Sequence, residues 1–295
     1  MVKSISKILL LALSITILCF TMGCDFVDLL GLFASNELNE RLLEKDNFKY
    51  LTEAERNITP PLPDEFSFIV LTDTHVDGNT TDLELIKDEA KNRDAKFVAI
   101  LGDVTQNGKK EDIEKVLNNF VEELKKLSIP CYLVLGNHDV YFGNWSTGWK
   151  EKIGSTRYRI DGGSVTLFIL DSANAFFGKS QIDWLEKELK TAQGTVFVMT
   201  HSDLFVQDKI KIQQLYDPAE RARVMTLLHN YDKNKMMLMG HSHERVEKEF
   251  GDVKYISMED YKDNLIYCLI NVTKTGISRE FYKYNKDEKK FKKID

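Results

Sequence analysis

The sequence predicts one large α/β domain, a mixed sandwich of sheets and helices. Short apolar, β-rich runs alternate with helical patterns between residues 66 and 239, and several strands then follow in succession. The 295 residues are 43% hydrophobic and 29% charged, which excludes disorder, a collagen-like repeat and a multi-span membrane protein. Clusters of Asp and His stand directly after five of the apolar runs. Open α/β sheets bind ligands at such strand ends, because loops and helix N-termini converge there.

The first residues read as an address. Lys3 and Lys7 precede an apolar run, Ile8 to Phe20, broken only by Ser14 and Thr16, and no acidic residue occurs before Asp25. This is the layout of a secretory signal, and the run is too short for the roughly 20 residues of a spanning helix. Gly23-Cys24 resembles the end of a bacterial lipoprotein signal. That implies removal of residues 1–23, lipidation of Cys24 and an exported protein anchored to a membrane of the bacterial envelope; plain secretion is the alternative. From Cys24 onward there are 38 basic and 46 acidic residues, so the net charge moves from −6 to −8. An acidic balance argues against indiscriminate nucleic-acid binding.

Residues 24–63 read as a tether. Leu38, Leu42, Leu43 and Phe48 have only loose helical spacing, and Pro60, Pro61 and Pro63 mark a boundary that neither a helix nor a central strand crosses. Within the domain at residues 64–284, strands are expected at 66–71, 97–101, 131–135, 165–170, 196–199, 236–239, 253–257, 265–272 and 276–284. Helices are expected at 82–95, 110–127, 180–192 and 218–231. In the second of these, Ile113, Val116, Leu117, Phe120, Val121 and Leu124 form a stripe at three-and-four spacing. Pro218 suits the first turn of the last. Residues 285–295 read as a charged, frayed tail.

The strand ends hold the chemistry: Asp73-Thr74-His75, Gly102-Asp103, Gly136-Asn137-His138-Asp139, Thr200-His201 and Gly240-His241-Ser242-His243. Imidazole and carboxylate without thiolate suit Mn, Fe, Zn or Ni. The donors exceed what one ion takes, and two ions roughly 3.5–4 Å apart form the standard clamp for phosphoester hydrolysis. Other chemistries fall away. Gly240 to Glu244 fails as a nucleophile elbow because its last residue is Glu, and there is no H-E-x-x-H, Walker A or G-x-G-x-x-G. Cys131 and Cys268 lie in expected strands and read as inert buried thiols, and His229 as an ordinary helix residue. Phe142, Trp145 and Trp149 are open to two readings, a stacking pocket or a small core. Residues 207–216, with Lys209 and Lys211, read as a second rim loop.

The ordered set D-x-H, G-D, G-N-H-D, H, G-H-x-H, spread over residues 73 to 243, resembles the calcineurin-like metallophosphoesterase superfamily. The resemblance implies a four-layer α/β/β/α sandwich of two mixed sheets and a metal-dependent phosphoric ester hydrolase. It implies that Asp73, His75 and His243 hold one divalent ion, that Asn137, His201 and His241 hold a second, and that Asp103 bridges the two. The ions would be Mn or Fe, with Zn or Ni as alternatives, and a metal-bridging hydroxide would be the nucleophile. His138 would stay off the metals and donate a proton to the leaving group, oriented by Asp139 through its other ring nitrogen. Two ions would make the site locally positive inside an acidic protein, so a small phosphoester anion is the expected substrate. Gln106 stands where purple acid phosphatases carry a tyrosine ligand, which separates the chain from that branch. Gly-Asn-His-Asp and residues 180–185 look like the bacterial phosphodiesterase branch, although Thr200-His201-Ser202-Asp203 replaces its His-His-Pro-Pro. The alternative is a catalytically idle surface lipoprotein that uses the fold as a binding module.

Overall fold

The computed structural model describes residues 37–44, 47–205 and 214–295. The expected signal, Cys24, Lys209 and Lys211 lie outside them. The described strands are β1 (Phe66–Leu71), β2 (Val98–Leu101), β3 (Cys131–Val134), β4 (Tyr158–Asp161), β5 (Val165–Ile169), β6 (Thr195–Met199), β7 (Lys235–Met239), β8 (Val246–Phe250), β9 (Val253–Ser257), β10 (Ile266–Thr273), β11 (Gly276–Asn285) and β12 (Lys290–Lys293).

They form two six-stranded mixed sheets, ordered β12-β11-β10-β1-β2-β3 and β4-β5-β6-β7-β9-β8. Neighbours are parallel along β1-β2-β3 and along β5-β6-β7-β9, and antiparallel at the flanks. Alternation along each strand sets the layers. Leu167, Phe197, Met199, Met236 and Leu238 join a core shared with the first sheet, where the Phe68 ring meets Phe197 edge-on at 5.0 Å. The intervening Phe168, Val196, Val198, Met237 and Met239 pack instead with Ile182, Leu185 and Leu189 of the Lys179–Leu189 helix and with Val224 and Leu228 of the Pro218–His229 helix. The Thr81–Asn92 helix and the helical run from Lys110 to Lys126 bury Leu83, Ile86, Ile113, Val116, Phe120 and Leu124 in the core of the first sheet. The expected helix–sheet–sheet–helix sandwich is the observed one. Asp217 caps the Pro218–His229 helix by accepting the Ala219 N–H at 2.8 Å.

The structure corrects three expectations. The described part of the tether is packed rather than extended. Leu38, Leu42, Tyr50, Leu51, Ile58 and Leu62 are buried, and Arg41, fully buried, donates to both Asp171 oxygens (2.7 and 3.0 Å) and to Asn174 Oδ1 (2.6 Å). Prolines end regular elements without preventing burial, and Leu62 within that cluster both packs and donates its N–H to Gly162 O at 3.0 Å. The supposed frayed tail holds β12, paired with β11, with Phe291 seated edge-on against Tyr267 at 4.9 Å. Finally, β4 and β8 are edge strands not expected from the sequence. Only Val246 of β8 is buried, since the strand lies at the sheet edge, and its exposed Glu247, Lys248 and Glu249 oppose further pairing. Trp145 and Trp149 belong to the main core, and Cys131 and Cys268 are buried free thiols.

Candidate metal centre

Five loops meet at the carboxyl ends of β1, β2, β3, β6 and β7, all strands of the parallel stretches, so the two sheets deliver their polar residues to one place. The glycines of the motifs make the approach possible. A Cβ at Gly136 would stand 2.0 Å from Asp103 N, and one at Gly102 would stand 2.4 Å from the His201 ring. The expected ligand residues also carry backbone strain. Asp73, His75, Asp103, His241 and His243 all have positive φ, between 43° and 72°, a region that costs a non-glycine residue about 1–2 kcal/mol. Five such residues in one site are held there by the surrounding fold, as strained functional loops are.

The donors form two groups joined by shared members. Asp73, His75 and His243 offer ligand atoms within 4.8 Å of one another, and so do Asp103, His201 and His241. A third set, His75, Asp103 and His138, links them. His243 Nε2 lies 3.1 Å from Asp73 Oδ1, and His201 Nε2 lies 3.3 Å from Asp103 Oδ2 and 2.9 Å from Asn137 Oδ1. His75 Nε2 sits 3.7 Å from both Asp73 Oδ1 and Asp103 Oδ2. Neither ring nitrogen of this buried histidine has a hydrogen-bond partner among the described residues. A buried imidazole left unbonded between two carboxylates is costly as a folding device and fits as a cation ligand. The residues present therefore fit two divalent ions of the oxygen-and-nitrogen-loving kind.

Proton affinities follow the same charges. Burial alone would raise Asp73 and Asp103, but neighbouring histidines, His243 for the first and His201 for the second, hold both carboxyls below their usual range. Burial opposes charging of His201 and His243, yet Asp103 and Asp73 lift them to about 10 and about 9. His241 is driven to about 3 by burial and by the His201 charge, so its lone pair is free for a cation. A Leu101 carbonyl 2.8 Å from His201 Nδ1 accepts its hydrogen and turns Nε2 towards Asp103.

His138 is held by a partner other than the expected one. Its backbone N–H donates to Asp103 Oδ1 at 2.8 Å. Its Nδ1 lies 2.8 Å from the Gln106 carbonyl, which only accepts, so Nδ1 carries the hydrogen and Nε2 turns the other way, 3.3 Å from the Tyr141 hydroxyl and 3.9 Å from Asp103 Oδ2. Asp139 does not orient the ring. Its oxygens accept from Thr105 N (2.8 Å), Thr105 Oγ1 (3.0 Å), Gly136 N (3.0 Å) and Val104 N (3.2 Å). It fastens the β2 loop to the β3 loop, and burial together with the Asp103 charge pushes it to about 7. Sequence adjacency to His138 concealed that the two side chains point to different loops. Three further residues were not expected to support the site: Gln106, whose carbonyl meets His138 Nδ1, Tyr141 with its hydroxyl 3.3 Å from His138 Nε2, and Asp260, 3.8 Å behind His243 Nδ1.

Residues 66–245 match the calcineurin-like phosphoesterase family model. The chain belongs to that family. A probable cyclic nucleotide phosphodiesterase of Fibrobacter succinogenes is 24% identical over 163 residues; the match takes in 54% of this chain and 62% of that relative's length. The phosphoesterase fold is also shared with solved structures at low identity. A dimetal phosphatase of Danio rerio matches with TM-score 0.53 at 14% identity, over 79% of this chain and 99% of that one. GAP50, the anchor in the inner membrane complex of Plasmodium, matches with TM-score 0.56 at 15% identity, over 79% of this chain and 89% of that one.

Proposed function

We propose that this chain is a metal-dependent phosphoester hydrolase that works with two divalent ions, Mn or Fe, sharing Asp103. The observation that carries the reading is the pair of histidine–carboxylate groups linked through Asp103 and the unbonded His75. Asp73, His75 and His243 would hold one ion, and Asn137, His201 and His241 the other. When bound, the ions would supply charge neutralisation and an activated water near neutral pH. The chain's own residues do the rest. His138, with Nδ1–H fixed on the Gln106 carbonyl, would face the leaving oxygen with Nε2 and, in its doubly protonated form, give up the Nε2 proton to it, a role that contributes about 10²–10⁴-fold. Asp139 holds the β2 and β3 loops together so that Asp103 and His138 keep their spacing.

The substrate would be a small phosphomonoester or phosphodiester. Purified protein given Mn should hydrolyse at least one member of a panel of aryl monoester, aryl diester, cyclic nucleotide, nucleotide and glycerophosphodiester. Full metal loading with no turnover across the panel under Mn, Fe, Zn and Ni would sink the proposal and leave the binding-module reading. The pattern of residues 1–24 supports an exported, lipid-anchored enzyme. Intact-mass analysis of the protein from a bacterial membrane should find acyl chains on Cys24 as the N-terminal residue, whereas an unmodified product starting elsewhere contradicts anchoring.

A further inference from the structure

The rim beside His138 carries a cation that the ligand set does not use. The Tyr261–Asn264 helix starts immediately behind the β1 loop: Tyr261 N–H donates to Thr72 O at 2.9 Å and Lys262 N–H to Asp73 O at 3.1 Å. From this backbone position, fixed on a ligand residue, the Lys262 side chain spans to the β2 loop, where Nζ donates to Gln106 Oε1 at 3.1 Å. Gln106 is the residue whose carbonyl holds His138, and its side-chain nitrogen lies 3.5 Å from the same imidazole nitrogen. The ammonium therefore stands one side chain away from the proton donor. It is exposed, and among the described residues no carboxylate lies within 4.0 Å of it.

Behind His243 stands the buried carboxylate Asp260. It caps the same short helix, accepting from Asp263 N at 2.8 Å and Asn264 Nδ2 at 2.7 Å, so this carboxylate is committed to the helix and to His243 while the Lys262 side chain turns its ammonium towards Gln106. A flexible four-carbon stem lets a lysine ammonium release a neutral amide and close on an anion. We infer that Lys262 reads the leaving group, selecting phosphoesters whose leaving group carries an anionic substituent of its own, a carboxylate or a second phosphate. This rests on the hydrolase reading and adds a substrate class to it.

The test compares binding of phenylphosphonate and 4-carboxyphenylphosphonate, whose P–C bonds resist hydrolysis, to Mn-loaded wild type, Lys262→Met and Lys262→Glu by calorimetry. The wild type should prefer the carboxylated ligand. That preference should fall about fivefold in Lys262→Met, the scale of a partly exposed ion pair, and reverse in Lys262→Glu. 1,4-Phenylenediphosphonate, run alongside, separates a phosphate-bearing from a carboxylate-bearing leaving group. If Lys262 serves only to brace Gln106, both ligands weaken equally and the ratio stays within about twofold, which overturns the inference. Failure of the carboxylated ligand to bind the loaded wild type overturns it as well. A preference that depends on Lys262 in a protein with no turnover of the matching aryl phosphates supports the inference and contradicts the hydrolase reading beneath it.

Discussion

His201 and His243 close the two halves of the site in different ways. The His201 side chain is fully buried, backed by a main-chain carbonyl of β2 and packed against Gly102, where no side chain fits. The His243 side chain is 26% exposed and backed by a carboxylate, Asp260, at 3.8 Å. The inner half is set by backbone that can scarcely move. Each half has two buried donors and one half-buried histidine, His241 on the inner side and His243 on the outer, so the halves differ in what backs His201 and His243 rather than in overall depth. The same ligand type should therefore hold a cation more permanently on the inside and exchange it more readily on the outside.

The largest effect that sharpens this contrast is expected at the shared carboxylate. Asp103→Asn should lower turnover by about 10²-fold or more and weaken both ions, since both halves lose a common ligand. Retention of more than a tenth of the activity contradicts the sharing. Next is His138→Ala, with a loss of about 10²-fold in kcat and unchanged metal content, because its ring bonds Gln106 rather than belonging to either ion's proposed ligand set. A variant that instead loses metal would make His138 a ligand. A smaller effect is expected at the rim. Asp260→Asn should weaken the outer ion by about tenfold, as loss of a residue supporting a histidine ligand does, and leave the inner ion unaffected. Equal loss at both positions would erase the distinction between the halves.

The mildest perturbation is pH. His201 and His243 are raised in the folded chain to about 10 and about 9, from an ordinary histidine value near 6.5. Protein stripped with a chelator therefore keeps their contribution below pH 6.5 and loses it as the pH rises through 9 to 10. Cations take the place of those protons, so metal affinity should rise over the same interval. Melting temperatures of stripped and Mn-loaded protein should diverge between pH 6.5 and pH 9, the stripped form falling; a constant gap would argue against protonated ligands in the stripped form.

Much of the site was legible because a metal ligand must be a particular residue type at a strand end, and side-chain identity survives in sequence. All seven expected ligands gather where the parallel strands stop. The supports were hidden for physical reasons. The Gln106 carbonyl is main chain and has no residue signature. Asp260 reaches His243 only because β9 lies beside β7 in parallel, a pairing between segments that residue spacing does not reveal. The resemblance implies that Asp139 orients His138, whereas the short helical turn at His138–Gly143 sends the two side chains apart. The fold shows the same division. Apolar core strands announced themselves, while β8 and β12, each with a single buried residue, read as polar surface. Arg41 was the furthest from sequence reasoning, since a lone arginine in a polar stretch gives no sign of a buried carboxylate 130 residues away.

The central claim is two ions on one shared carboxylate, and counting metal tests it most directly. Equilibrium dialysis of the protein against Mn, read by elemental analysis alongside phosphoester turnover, should give two ions per chain in the wild type. Activity should appear only as the second ion fills. Full activity at one ion per chain, or two firmly bound ions in Asp103→Asn with turnover intact, would contradict the account.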